Sequence, residues 1–279
     1  MAIEITSRGK VRYSLAAMAK DNGLRRNAIL RPIDPTTELV NALYVEYVPV
    51  VRAWRDAAAM LILPAYKAAL DRLTRDEESD QVGAALAQSE SQGGRVVAAK
   101  LIALRSWAVR VENWHRSRFS QAVAGSTGVK VQGVILGQDA AEEVALAVQS
   151  NTDLIRNVSD TMRQQIGQAV WQGLAARTPR NEIAKQINDV LDRQRARARR
   201  IAIDQTNKLS GALDEMRQTQ AGIDSFDWKH SGKVHYRQEH KARDGKRYRW
   251  NDPRLRGDKP KQKPFCGCTA QAVVDVENE

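Results

Sequence analysis

Cysteine is almost missing from these 279 residues: the chain has two, Cys266 and Cys268, with one residue between them. Closing so short a loop gains little stability, so a disulfide framework is set aside. Aromatic residues make up only 5% of the chain, while Ala, Leu, Val and Ile abound, a balance that favours helices over a β-sandwich. Long hydrophobic runs are lacking too. The longest, residues 57–65, falls far short of the roughly 20 residues that span a bilayer. The first ten residues show no basic, apolar, then small-residue order of a secretory signal. There is no Walker-type loop, no G-x-S-x-G and no dinucleotide fingerprint. The chain reads as soluble, made in a reducing compartment, and long enough to bury a sizeable core in one large or two ordinary domains.

Charge is unevenly spread. Residues 229–263 hold thirteen Lys or Arg against four acids (Glu239, Asp244, Asp252 and Asp258), a net +9 within a chain whose total is +11. A field of that sign attracts phosphates or an acidic protein surface. Lys241, Arg243, Lys246, Arg247, Arg249, Arg254 and Arg256 are its candidate contacts. A segment that is merely charged and solvated has the same composition, so charge alone does not choose between the two.

Residues 1–33 show no sustained period and read as an arm that docks on a neighbour or stays mobile. A helix then starts with Asp34 or Thr36 as N-cap and buries Leu39, Leu43, Tyr47, Val50, Val51 and Trp54. Pro49 and Pro64 are expected to kink or break it. Residues 74–94 are polar and acid-rich, carry Gly83, Gly93 and Gly94, and read as a linker or loop. A second long helix covers about residues 95–123. Trp107, Trp114 and His115 lie on it at helical spacing, which favours buried core or a partner interface over a cofactor box. The Trp and Leu stripes of this half, read as exposed, imply a partner, which a second copy could supply. Residues 125–137 alternate between glycines as a short β-ribbon or extended connector.

From residue 140 the helical period returns. Ile155, Val158, Met162, Ile166, Val170 and Leu174 step by three and four. Thr178-Pro179 restarts a helix with a cap residue followed by Pro. Ile183, Ile187 and Leu191 form its buried face, an arginine run follows (Arg193, Arg195, Arg197, Arg199, Arg200), and Gly222 ends it. Short strand-like pieces then occupy residues 226–228, 246–250 and 272–276. The expected fold is mainly α, with long helices in the N-terminal two thirds and a small C-terminal α+β module. The expected domains are an arm (1–33), a helical domain (34–139) and a third domain (140–279) made of helices to 222 and the module 223–279.

Residues 150–276 carry an ordered series of landmarks. They are Asn151-Thr152-Asp153-Leu154-Ile155-Arg156, Gly173 with Thr178-Pro179, the run 200–207 (RIAIDQTN), Gly222 and Phe226-Asp227-Trp228. Val234, Arg237 and His240 follow at intervals of three, then Asp244-Gly245, Pro260 and Pro264, and Cys266-Gly267-Cys268 trailed by Val273 and Val274. In order and spacing this series resembles the Mu F-like minor head proteins of tailed bacteriophages, also called head morphogenesis proteins. Where that family commonly has an acidic residue and an arginine, this chain has Lys233 and His235; where it has Asn and Arg beside the cysteines, Phe265 and Gly267 stand. The resemblance makes Trp228, Arg237, Asp244 and Gly245 structural motif residues. It implies a structural, non-enzymatic virion protein of the phage head, associated with the portal vertex and acting in head morphogenesis and DNA packaging or delivery. Its implied partners are portal and capsid proteins, with packaged DNA and self-association as further candidates, no membrane in the assembled head, and assembly in the host cytoplasm. Some members carry an extra enzyme domain after this module. Only eleven residues follow Cys268, so none is expected here.

Chemistry centres on the sulfurs. Cys266, Cys268 and His240 with one more ligand, His235 or alternatively His230 or Asp244, would suit a structural zinc, because thiolate and imidazole are zinc ligands and a closed site stabilises a module with little core. No other cofactor is expected. The usual zinc pattern has at least two residues between paired cysteines. The competing reading packs the sulfurs as small hydrophobes while His240 and Arg237 hydrogen-bond turn carbonyls. Either way the three side chains should meet and staple the chain end to residues 234–245, with Trp228 as a lid and Arg237 as a strut. The rival function is a metal-dependent DNA-processing nuclease using His235, His240 and Asp244. No second histidine or acidic cluster completes that set, so no catalytic residue is assigned.

Overall fold

The computed structural model describes residues 3–5, 11–73 and 81–277. The elements run in the order β1 (Ile3–Ile5), β2 (Val11–Tyr13), α1 (Leu15–Asp21), β3 (Ala28–Ile29), α2 (Thr37–Ala57), α3 (Leu63–Leu73), α4 (Gln81–Ala98), α5 (Leu101–Thr127), α6 (Ala141–Ala175), α7 (Arg180–Gln220), β4 (Ser225–Lys229), α8 (Gln238–Lys241), β5 (Arg247–Arg249) and β6 (Thr269–Val274). The chain is 68% helical, with long helices first and a small antiparallel sheet near the C-terminus. It divides into two compact units, residues 41–106 with 148–202, and residues 1–40 with 107–147 and 203–279.

In the first of these units the stripe on α6 is fully used: Ile155, Val158, Met162, Ile166 and Val170 are all completely buried. Register between α2 and α6 is set by two polar bonds inside this apolar seam. The Tyr47 hydroxyl donates to Asn151 Oδ1 at 3.1 Å, and Trp54 Nε1 donates to Ser159 Oγ at 2.9 Å. Tyr47 and Trp54 are seven residues apart and Asn151 and Ser159 eight, two helical turns in each case, so a slip of either helix would orphan two buried donors.

Three local expectations change. Residues 81–94 are not a loop but most of α4, whose buried positions Val82, Ala85, Ser89, Gly93 and Val97 recur at threes and fours; residues 74–80 lie outside the described residues. Gly93 suits this helix because Trp54 crosses it, and a Cβ there would stand 2.9 Å from the indole nitrogen. Pro49 is carried inside α2. Pro64 follows a π-turn over Ala58–Ile62, closed by Leu63 N–H to Ala58 O. Pro64 cannot donate to the carbonyl of residue 60, and Met60 is 75% exposed, so that defect faces solvent. Of the Trp and Leu stripes expected to meet a partner, Leu43, Trp54, Leu104 and Trp107 are buried, Trp114 is half-buried and Leu101 is exposed.

The second unit holds a four-stranded antiparallel sheet in the order β3-β6-β4-β5. β4 alternates as a half-buried strand should, Phe226 and Trp228 inward and Asp227 between them. β6 is buried at five of its six positions, because it lies between two strands and two apolar clusters. One cluster joins Tyr13, Leu15, Leu30, Phe119, Val123, Val131, Ile223 and Val274; the other joins Phe226, Trp228, Trp250, Leu255, Cys266, Cys268 and Ala270. Residues 11–33, read from the sequence as an arm, cover the sheet: Ala28 pairs with Val274, Leu30 N–H reaches Ala272 O at 2.9 Å, and Leu15 N–H reaches Ala221 O at 2.9 Å. α5 runs to Thr127, and the segment after it is an extended connector rather than a ribbon, with Val129, Val131 and Ile135 buried in the first cluster.

Adjacent glycines of α4 test this packing. Gly94 has nothing within 4 Å of a built Cβ, so Gly94→Ala should gain the ordinary helix-propensity difference, ~0.5–1 kcal/mol in denaturant unfolding. Gly93→Ala should instead lose ~1 kcal/mol or more, since the Trp54–Ser159 bond must give way. Equal gains in the two variants would contradict the α2–α4–α6 packing.

Candidate metal centre

The strand β4 hands the chain to a long excursion that is pinned at its return. Gly245, at φ +73°, donates to Trp228 O at 2.8 Å, Trp228 N–H reaches Lys246 O at 2.9 Å, and Asp244 Oδ1 accepts from His230 N–H at 2.8 Å. Within that excursion α8 is a single turn, and it points His240 inward while residues 231–236 remain exposed. The chain then passes through Leu255, which is buried, and returns through the turn 260–265 to place Cys266 and Cys268 just before β6.

There the three side chains meet. Cys266 Sγ lies 3.5 Å and Cys268 Sγ 3.7 Å from His240 Nδ1, and the three ligand atoms all lie within 4.8 Å of one another. His240, Cys266 and Cys268 are each at most 4% exposed. The opposite nitrogen of the ring, Nε2, is 2.8 Å from Asp258 Oδ1. Asp258 also takes Arg243 Nη1 at 2.9 Å and Lys263 Nζ at 3.3 Å. Burial alone would raise Asp258, but hydrogen bonds from His240 and Arg243, with their charges, hold it below the usual carboxylate range. An ionised carboxylate can only accept, so Nε2 carries a hydrogen and Nδ1 is the nitrogen turned toward the sulfurs. Between the thiols, a hydrogen bond from Cys268 lowers Cys266, and the same bond raises Cys268.

The walls are aromatic and basic. Trp228 stands edge-on to the His240 ring at 5.1 Å, and the Arg243 guanidinium lies over Trp228 at 4.9 Å. Arg237 Nη2 donates to Pro264 O at 3.1 Å and Lys233 Nζ to Phe265 O at 3.3 Å, so both hold the turn that leads into Cys266. The three candidates for a fourth ligand do not join. His235 is exposed, and the metal-competent group found among the described residues contains neither it nor His230 nor Asp244. His230 instead accepts from Gly232 N–H at 3.2 Å and stacks edge-on against Tyr236 at 5.3 Å. Asp258 was absent from the sequence candidates. It stands eighteen residues from His240, and nothing in that interval marks it.

Much of the basic segment is already paired. Arg243 is spent on Asp258, Arg247 on Asp227 at 2.8 and 3.2 Å, and Arg254 on Asp252 at 2.6 Å. Lys241 donates to the Tyr236 hydroxyl at 3.2 Å, and Lys259 pairs with Glu215. Lys246, Arg249 and Arg256 are exposed. Lys261 is buried, so it contributes nothing to a binding face. The field presented outward is therefore weaker than a count of residues suggests.

Lys261 belongs to a second polar feature that spacing did not reveal. A buried chain runs from Glu112 through Arg217 (2.5 Å), His115 (2.5 Å) and Asp214 (2.9 Å) to Lys261 (3.2 Å). Arginine has no acceptor, so His115 Nδ1 accepts from Arg217 and Nε2–H donates to Asp214, which makes the ring neutral. Burial lowers the His115 pKa first, Asp214 opposes, and Arg217 and Lys261 push it further down. Burial pulls Arg217 to about 10, still charged at neutral pH. Glu112 and His115, and Asp214 and Arg217, are pairs three residues apart on two helices, a signal too common to use.

Residues 164–271 match the family model described as phage Mu protein F like protein. The matched stretch begins inside α6 and ends in β6, so it takes in Gly173, Thr178-Pro179, Gly222, Trp228, the His240 turn and both cysteines. The likeness is of that stretch alone. An uncharacterized protein of Haemophilus influenzae is 25% identical over 162 residues, covering 58% of this chain and 36% of the relative. The chain thus spans about a third of the length of the curated relative it matches. No solved structure matches. No helix among the described residues is long and apolar enough to cross a membrane.

The buried chain predicts a pH dependence. His115 is neutral when folded and ordinary, with a pKa of about 6.5, when unfolded. Its contribution is therefore complete above about pH 6.5 and is lost as pH falls below that value toward the lowered folded pKa. Denaturant midpoints from about pH 8 down to about pH 5 should fall more steeply in the native chain than in His115→Gln, whose amide can still accept from Arg217 and donate to Asp214. Parallel curves would refute the neutral ring. Lys261→Met, which leaves Asp214 without its cation, should cost about 3 kcal/mol or more.

Proposed function

We propose that this chain is a minor head protein of a tailed phage, associated with the portal vertex and acting in head morphogenesis and in DNA packaging or delivery. The observation that carries the reading is the match over residues 164–271 to the phage Mu protein F like family. Portal and capsid proteins are its proposed partners, and the virion is its proposed location. For self-association the apolar argument narrows to the exposed part of the stripe at Leu101. Contact with DNA or an acidic partner would rest on exposed Lys246, Arg249 and Arg256 rather than on the whole basic segment.

The nuclease reading gains no support from the geometry. Its three residues point to separate tasks: His240 toward two sulfurs and Asp258, Asp244 to the His230 main chain, and His235 to solvent. A phosphodiester-cleaving centre needs its groups around one reacting position. The proposed role is thus structural, with the module acting as a folded connector.

Peptide mass spectrometry of purified proheads and mature virions tests this. The chain should be present in proheads at low copy relative to the major capsid protein. Absence from both particles would overturn the structural role, and metal-dependent cleavage of plasmid DNA that vanishes in His240→Ala would establish the rival.

A further inference from the structure

We infer that His240 Nδ1, Cys266 Sγ and Cys268 Sγ are three ligands of a bound zinc ion, with Asp258 as the carboxylate that orients the histidine. The inference is independent of the role in the phage head and would hold whatever the module does.

Geometry is the first support. Zinc bonds of about 2.3 Å to sulfur and 2.0–2.1 Å to nitrogen, at a tetrahedral angle, put a ligating nitrogen about 3.6 Å from each ligating sulfur. The observed separations are 3.5 and 3.7 Å. The nitrogen is therefore already spaced from both sulfurs as the ion requires, and the sulfurs lie within 4.8 Å of each other.

Counting hydrogens gives the second. Nδ1 has one lone pair, so it can accept from only one thiol, yet both sulfurs converge on it. Two thiols can pass one hydrogen between the sulfurs and one on to Nδ1, whereas a cation engages all three atoms directly at once. The third support is the far side of the ring. A carboxylate on the other imidazole nitrogen fixes the tautomer and raises ligand basicity, which is the usual second layer of a histidine–zinc bond. Asp258 holds that position at 2.8 Å and is itself held by Arg243 and Lys263.

The surroundings also suit metal-bound sulfur. Trp228 Nε1 is buried beside Cys268 and turned toward it. A zinc-bound thiolate there would be a stronger acceptor for that N–H than a thiol. Main-chain N–H groups of Cys268 and Ser231 face the two sulfurs. Two thiolates and a neutral imidazole around a divalent cation sum to zero charge, which is the least costly state to bury. Soft sulfur ligands in a tetrahedral set point to zinc over magnesium or calcium. With no fourth protein donor among the described residues, a water molecule completes the tetrahedron.

The test uses the full chain. Elemental analysis after dialysis should find about one zinc per chain. The cobalt-substituted protein should show a thiolate-to-cobalt charge-transfer band of the strength two sulfur ligands give. The Cys266→Ser, Cys268→Ser double variant should lose both metal and band. Asp258→Asn should keep the stoichiometry but bind cobalt ~10–100-fold more weakly, and His235→Ala should be unchanged. Failure of the native chain to bind zinc or cobalt, a cobalt spectrum without the charge-transfer band, or retention of metal in the double serine variant would each overturn the site. The first two outcomes are read on the native chain, so a misfolded variant cannot mask them.

Discussion

A lysine ammonium taken out of water must have each of its three hydrogens met, or the module that buries it does not fold. Lys261 meets that condition fully. Its Nζ reaches Ile33 O at 2.6 Å, Asp214 Oδ2 at 3.2 Å and Ser210 Oγ at 3.3 Å. Those acceptors belong to the segment before α2 and to two positions a turn apart on α7, while Lys261 itself sits in the turn that precedes the cysteines. One side chain therefore locates the N-terminal strands, the long helix and the C-terminal loop against one another. Gly211 makes it fit, since a Cβ there would come within 2.7 Å of the Lys261 Cβ. From Asp214 the chain of charges continues through His115 and Arg217 to Glu112, so α5 is tied in as well.

Two histidine–aspartate pairs are buried in this unit, and comparing them separates scaffold from site. Both rings give Nε2–H to a carboxylate, His115 to Asp214 and His240 to Asp258. Where they differ is the other nitrogen. In His115 it is capped by Arg217 at 2.5 Å, a donor that leaves no lone pair for anything else. In His240 it faces two sulfurs. The first ring is a closed strut between charged neighbours. The second turns its other nitrogen to the sulfurs and is held in place by a carboxylate that is itself paired with Arg243 and Lys263.

The helical part of this arrangement was legible because it is periodic. The α6 stripe from Ile155 to Leu174 and the restart at Thr178-Pro179 could be read position by position, and so could the return to strands after Gly222. Residues 81–94 are harder to read, because their glycines and polarity mask a period of threes and fours, and because Gly93 is there to admit Trp54 rather than to end a helix. The meeting of His240 with Cys266 and Cys268 was legible as a scarcity argument, two thiols and three of four histidines spent in one short segment. Asp258, Lys261 and the Glu112–Lys261 chain were not. Their partners lie up to 228 residues away, and a charged residue in a basic loop looks solvated until a fold surrounds it.

That contrast explains why a family pattern can be plain in a sequence whose chemistry is not. The landmarks shared with the phage Mu F-like family fall mostly where the backbone has little choice. Gly222 and Gly245 adopt φ of +70° and +73°. Gly173 sits where a Cβ would strike Ile183, Trp228 fills the small core, and Arg237 holds the Pro264 carbonyl. Such positions keep a module folded whatever it touches, so their order along the chain reports architecture. Exposed positions such as Lys246, Arg249 and Arg256 carry no such constraint, so substitution there leaves the core intact and the pattern has little to say. The result is a division between a core fixed by geometry and buried charge and a surface on which residues are free to vary.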